Sequence, residues 1–177
     1  MVKVLNRVEV HANYRDEKPT VDVKSTVQSL IDDVPPELLV GFERVVLKCA
    51  ADRPRGDKRR RKWSRGRKVH EGEVRALYHP QTAGQTAWIE LFVDRLLNNV
   101  PRVVQWLPFV RDIVLAPVLY HELGHHIAGV RGGSHTRDED FADEWSRELT
   151  ARFMRRKYWY AVSLMQLVGW LSKRARR

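Results

Sequence analysis

The seven residues Tyr120-His121-Glu122-Leu123-Gly124-His125-His126 constrain this chain more than any other stretch. On a helix, His121 and His125 lie one turn apart on one face, so both imidazoles can reach a single metal ion, with Glu122 beside the first of them. With 7 histidines and 11 glutamates in 177 residues, chance supplies roughly 0.02 such His-Glu-x-x-His matches. The neighbours Val118, Leu119, Leu123 and Ile127 are apolar, which predicts a buried helix. Two histidines and a carboxylate are costly there unless paired or metal-bound.

A hydrolytic zinc site takes three protein ligands and keeps one position open. Arg131 stands where a metzincin has its third histidine, and Ala128 where it has a glycine, so that class is excluded. His135 could bend back through Gly129, Gly132 and Gly133, although nothing fixes its angle. Glu139 and Asp143 are one turn apart on the next predicted helix, in a stripe with small Ala142 and Ser146 that lets two helices approach closely. In that arrangement Glu139 meets the metal, and Asp143 hydrogen-bonds a ligand histidine and fixes its tautomer. Phe141, Trp145 and Leu149 then pack the core side. The competing reading pairs Thr136 with Glu139 in a capping box. Asp140 and Glu144 stay in reserve as ligands, because helix phase read from sequence is good to about one residue. His126 reads as a packing or surface residue.

The run His121-Glu122-Leu123-Gly124-His125, followed by Glu139-x-x-Ala142-Asp143-x-Trp145, resembles the gluzincin zinc metallopeptidases, in particular small cytoplasmic ones of the ImmA/IrrE-like type. The likeness covers Tyr120 to Ser146. It implies His121, His125 and Glu139 as ligands of Zn2+, Glu122 as general base and Asp143 as the residue that holds a ligand histidine. It also implies an edge strand upstream of the metal helix, most naturally Thr86 to Val93, that aligns an extended protein or peptide substrate. The implied fold is α+β and zincin-like: a small twisted, mostly antiparallel sheet packed on helices, with His-Glu-x-x-His on a buried active-site helix. The implied activity is zinc-dependent endopeptidase cleavage. For the oxyanion, Tyr158, Tyr160, His135 and Arg147 are available.

The rest of the chain supplies elements for such a domain, and residues 1–177 read as one. Strands are predicted over residues 3–10, Glu43 to Cys49, Glu73 to Tyr78 and Thr86 to Val93. In the last of these Ala87, Ile89, Leu91 and Val93 share one face, as in a half-buried strand. Ser25 is placed to cap a helix through Val27, Leu30 and Ile31. Pro108 and Pro117 interrupt the apolar run from Pro101 to Ala128, which predicts a short helix and then the metal helix, beginning near Asp112 or at Pro117. Gly129, Gly132 and Gly133 should end it. Thr136 to Tyr160 reads as a further helix, and Tyr158 to Leu171 as a core helix rather than an interfacial one.

Charge is segregated. Residues 51–70 hold ten Lys or Arg against two Asp, and Lys173 to Arg177 add four cations, so these two segments exceed the whole net charge of +10. The first reads as a mobile, solvated basic loop at 51–70, and the alternative function is nucleic-acid binding, or binding of an acidic partner, through that loop with Trp63 stacking. Cys49 is the single cysteine and the N-terminus lacks the apolar core of a signal peptide, which predicts a cytoplasmic protein. The sequence carries no reading of oligomeric state.

Overall fold

The computed structural model describes residues 7–14, 18–49, 74–130 and 139–160, together with the backbone of 61–64 and 67–70. In chain order, β1 (Glu9–Ala12) leads to α1 (Val23–Asp32), a 3-10 turn (Pro36–Leu39) and β2 (Phe42–Lys48). β3 (Arg61–Ser64) and β4 (Arg67–His70) follow, then β5 (Ala76–His79) and β6 (Ala87–Phe92). The remaining elements are helical: α2 (Val93–Leu97), α3 (Arg102–Gln105), α4 (Pro108–Val130) and α5 (Glu139–Lys157). The fold is α+β, and among the described residues no helix is long and apolar enough to cross a membrane.

The main sheet has the order β1-β2-β6-β5. β1 and β2 pair in parallel, β2 and β6 pair in parallel, and β5 and β6 are antiparallel. The expectation of a mostly antiparallel sheet is therefore corrected. Strand alternation carries no information about direction, and the α1 crossover between β1 and β2 is the kind of connection that parallel pairing needs. β5 and β6 are joined by a tight turn, where Thr82 bridges Gln85 and Gly84 takes φ +89°, a conformation that favours glycine.

One sheet face carries Val45, Leu47, Ile89 and Leu91, all fully buried, with Val45 beside Ile89 and Leu47 beside Leu91. Val27 and Leu30 of α1 and Leu115, Leu119 and Leu123 of α4 belong to the same core. The Tyr120 hydroxyl donates to the Leu30 carbonyl at 2.9 Å, which ties α4 to α1 inside that core. α1 itself starts two residues before Ser25. Asp22 is the cap, accepting the Ser25 backbone N–H at 3.0 Å. That bond holds the Asp22 carboxyl below its ordinary range.

Three further expectations change. β6 lies inside the sheet, between β2 and β5, so Thr86 to Val93 is not an edge strand; the edges are β1 and β5, of which β5 is the one next to β6. Its predicted inner face is buried, but so are Glu90 and Phe92 on the opposite face. Glu90 tolerates this because Lys48 of β2 reaches it at 2.6 Å and His79 of β5 at 3.5 Å. Inside the segment read as a loop at 51–70, the described backbone is an antiparallel hairpin of β3 and β4. Finally, α4 begins at Pro108 and runs through both Pro117 and Gly129. Pro108 fits a first helical turn, where an N–H has no partner to lose. Pro117 removes one helical hydrogen bond, while its own carbonyl accepts the Ser146 hydroxyl of α5 at 2.7 Å.

Candidate metal centre

The site forms where α5 starts beside the middle of α4, with the two helices antiparallel. Glu139 and Asp143 meet His121 near the start of α5, Ser146 meets Pro117, and Lys157 and Tyr158 meet Asp112 near its end. Small residues permit this closeness. A Cβ placed on Gly124 would stand 2.7 Å from Ala142 Cα, closer than side chains are found to pack. The stripe of Ala142 and Ser146, both buried, therefore works as the sequence suggests. Gly124, inside the motif itself, is the complementary half, which the sequence reading overlooked; a glycine facing small residues on the next helix was the available signal.

This close crossing brings His121, His125 and Glu139 together, with one ligand atom from each within 4.8 Å of the others. His121 Nε2 lies 3.3 Å from Glu139 Oε2. A tetrahedral zinc site with bonds of about 2.05 Å has ligand–ligand edges of about 3.3 Å, so this pair already stands at the required separation. Two imidazole nitrogens and one carboxylate oxygen also suit zinc chemically. The His121 and His125 rings are 5.0 Å apart at 89° to one another, so they approach a common point from different directions.

On the other side of the His121 ring, Asp143 Oδ1 is 2.8 Å from Nδ1. The approach is close but lacks hydrogen-bond alignment in this geometry. It still places a carboxylate behind the nitrogen that faces away from Glu139, the position from which an acidic residue orients a ligand histidine. Asp140 and Glu144, the reserve ligands, are exposed. His135 and Thr136 lie outside the described residues, and with them the competing capping box.

Glu122, on the metal helix, points its carboxyl at the edge strand β5. Burial pushes its carboxyl up to about 7, the Tyr78 backbone N–H of β5 donates to it and opposes that rise, and the nearby Glu139 carboxylate adds to it. Sequence could not disclose the Tyr78 contact, because a backbone N–H has no signature in side-chain pattern. His126 has a structural role and is buried. Its Nε2–H donates to the Val40 carbonyl at 3.1 Å, which leaves Nδ1 to accept the Tyr78 hydroxyl at 3.2 Å. This neutral tautomer agrees with the downward push of burial on its pKa.

Two oxyanion candidates are corrected. Tyr158 donates to Asp112 at 2.5 Å, and Tyr160 is its neighbour, so both lie at the opposite end of the helix pair. Arg147 is exposed and donates from Nε to the Asp143 carbonyl at 3.2 Å. Comparison with known proteins gives no match: no family model, no curated protein and no solved structure aligns with this chain.

Proposed function

We propose that this protein is a zinc-dependent metalloendopeptidase of zincin-like architecture. The observation that carries the reading is the convergence of His121, His125 and Glu139, ligand atoms within 4.8 Å, with Glu122 beside them. His121, His125 and Glu139 would hold the ion. A bound zinc supplies a Lewis acid that polarises a carbonyl oxygen and acidifies water. Glu122 takes the proton of the attacking water and returns it to the amine nitrogen of the leaving peptide. Burial favours the protonated form of Glu122 relative to an exposed carboxyl, which suits a group that takes a proton and gives it back. Asp143 keeps the His121 ring turned toward Glu139. β5, the outermost strand beside α4, offers the backbone edge along which an extended peptide lies. A cytoplasmic setting accords with the single cysteine, Cys49, which is buried and has no second cysteine in the chain to pair with.

Two variants and one measurement test this. Metal analysis of the purified protein should give about one zinc per chain, and His125→Ala should lose it. Glu122→Gln should keep the metal and lower cleavage of a permissive peptide by about 10²- to 10⁴-fold, the usual contribution of a positioned proton-transfer group. Cleavage that survives Glu122→Gln overturns the mechanism, and zinc retained by His125→Ala overturns the site.

A further inference from the structure

The motif from His121 to His126 contains two pairs of residues one helical turn apart, and each pair meets its own partner. His121 and His125 converge with Glu139. Glu122 and His126, turned about 100° around α4 from the first pair, both meet one residue of the edge strand, Tyr78 of β5. Glu122 accepts the Tyr78 backbone N–H, and His126 Nδ1 accepts the Tyr78 hydroxyl at 3.2 Å. One residue of β5 is thus held at its backbone and at its side-chain tip by the helix that carries the metal site.

The side-chain contact has a fixed footing. His126 is 2% exposed, and its ring packs against those of Phe42 and Tyr78, with centroids 5.2 and 5.9 Å away. Its Nε2 lies 3.1 Å from the Val40 carbonyl, which can only accept, so the ring hydrogen is on Nε2 and Nδ1 is left for the Tyr78 hydroxyl. The next carbonyl, of Gly41, accepts the Ala87 N–H of β6 at 3.1 Å, which ties this segment into the interior of the sheet. β5, by contrast, pairs with β6 alone. A strand bonded along one side is the part of a sheet that opens at least cost. An apolar side chain of similar size would fill the place of His126 without desolvating an imidazole, so the two polar contacts add direction more than net stability.

We infer that His126 and the Tyr78 hydroxyl are positioning groups, which fix β5 against α4 so that the Tyr78 N–H stays on Glu122 and the strand edge keeps its place beside the metal centre. Their consequence for turnover rests on the peptidase reading, because that reading assigns Glu122 to the water and the β5 edge to the peptide. The hold on β5 itself does not depend on it. Misplacement of a reacting group by about 1 Å costs on the order of 100-fold in rate, so loss of the hold should show in turnover and not in metal content.

Tyr78→Phe removes the hydroxyl alone and keeps the ring and the backbone N–H. In the full chain, with and without zinc, hydrogen exchange of the residue 78 amide should quicken about tenfold or more. Exchange at Ile89, whose strand β6 also pairs with β2, should stay as it was. Zinc per chain should be unchanged, and kcat per bound zinc should fall about 10- to 100-fold. Two variants of His126 separate its contacts. In His126→Asn the side-chain oxygen falls near the place of Nδ1 and keeps an acceptor for Tyr78, whereas His126→Gln brings an N–H donor near the place of Nε2 and keeps only the bond to Val40. His126→Asn should therefore retain most of the protection and turnover that His126→Gln loses. Unchanged exchange at residue 78 in Tyr78→Phe overturns the hold, and so does equal behaviour of the two His126 variants. Faster exchange with unchanged turnover overturns the positioning role. A parent protein that binds zinc and cleaves no permissive peptide, while its variants lose protection at residue 78, overturns the peptidase reading and leaves the hold on β5 standing.

Discussion

The two ends of the α4–α5 pair hold buried polar groups on very different terms. At the basic end Asp112 is fully buried, yet Lys157 reaches it at 2.7 Å and the Tyr158 hydroxyl at 2.5 Å. One carboxylate meets one ammonium, so the charges of that pair cancel. At the other end three carboxylates, of Glu122, Glu139 and Asp143, stand around the imidazoles of His121 and His125. With all three carboxylates ionised that cluster carries an excess of negative charge, which a divalent cation would largely offset. The contrast shows why burial of charge does not by itself identify a site. What distinguishes the second cluster is a sign imbalance combined with donor atoms at metal-bridging separations.

α5 carries this contrast along its length. Its first turn has Glu139 and Asp140 and its last has Arg155, Arg156 and Lys157, which is also the arrangement that complements a helix dipole. Dipole complementarity explains the gradient but not the convergence. Asp140 satisfies the dipole as well as Glu139 does, yet it is exposed while Glu139 faces His121.

The largest effect that would break the comparison is expected from Gly124→Ala. Alanine in a helix interior is favoured over glycine by about 0.5–1 kcal/mol. Against that, the added Cβ meets Ala142 Cα at 2.7 Å, and overpacking of this kind costs about 1–3 kcal/mol. The clash should win, lowering the melting temperature and weakening zinc binding together as Glu139 and Asp143 move off His121. A more stable variant with unchanged zinc affinity would show that the close crossing does not position the ligands.

Asp112→Asn and Asp143→Asn then separate the two ends. The first removes the charge that answers Lys157 and should cost about 1–3 kcal/mol of stability by chemical denaturation while leaving zinc affinity alone. The second should leave stability nearly unchanged, because Asp143 is 45% exposed, and weaken zinc binding about 10- to 100-fold in a chelator competition. Equal effects of both variants on zinc would remove the distinction drawn between the ends.

The smallest effect concerns Asp22, which caps α1 and feels the charge of Arg111 at the start of α4. Asp22→Ala should cost about 1 kcal/mol at neutral pH. The folded pKa is depressed below the ordinary 3.8. The part of the cap due to charge is therefore complete above that value and is lost as pH falls through the folded pKa. Denaturation curves of the two proteins should converge in acid, and a gap that widens there would contradict the sign of the shift.

Local pattern made much of this protein legible. Spacing put His121 and His125 on one helical face, apolar neighbours predicted that the helix is buried, and Ala142 with Ser146 marked the side of α5 that approaches it. These features repeat every turn, so they survive without knowledge of the partner. The metal-competent trio was foreseen as Glu139 among several alternatives. The described structure brings Glu139 to His121 and leaves Asp140 and Glu144 exposed, because the phase of one helix against another depends on where they cross.

What only the tertiary structure decided is everything set by pairing between distant segments. Alternation in Thr86 to Val93 revealed a strand, but neither its place inside the sheet nor its parallel partner β2, since side-chain period is the same in either direction. The Tyr78 N–H at Glu122 and the ring contact of Phe109 with Tyr158 arise the same way. Each depends on two stretches of chain meeting in space, and a contact of that kind leaves no periodic trace in either stretch alone.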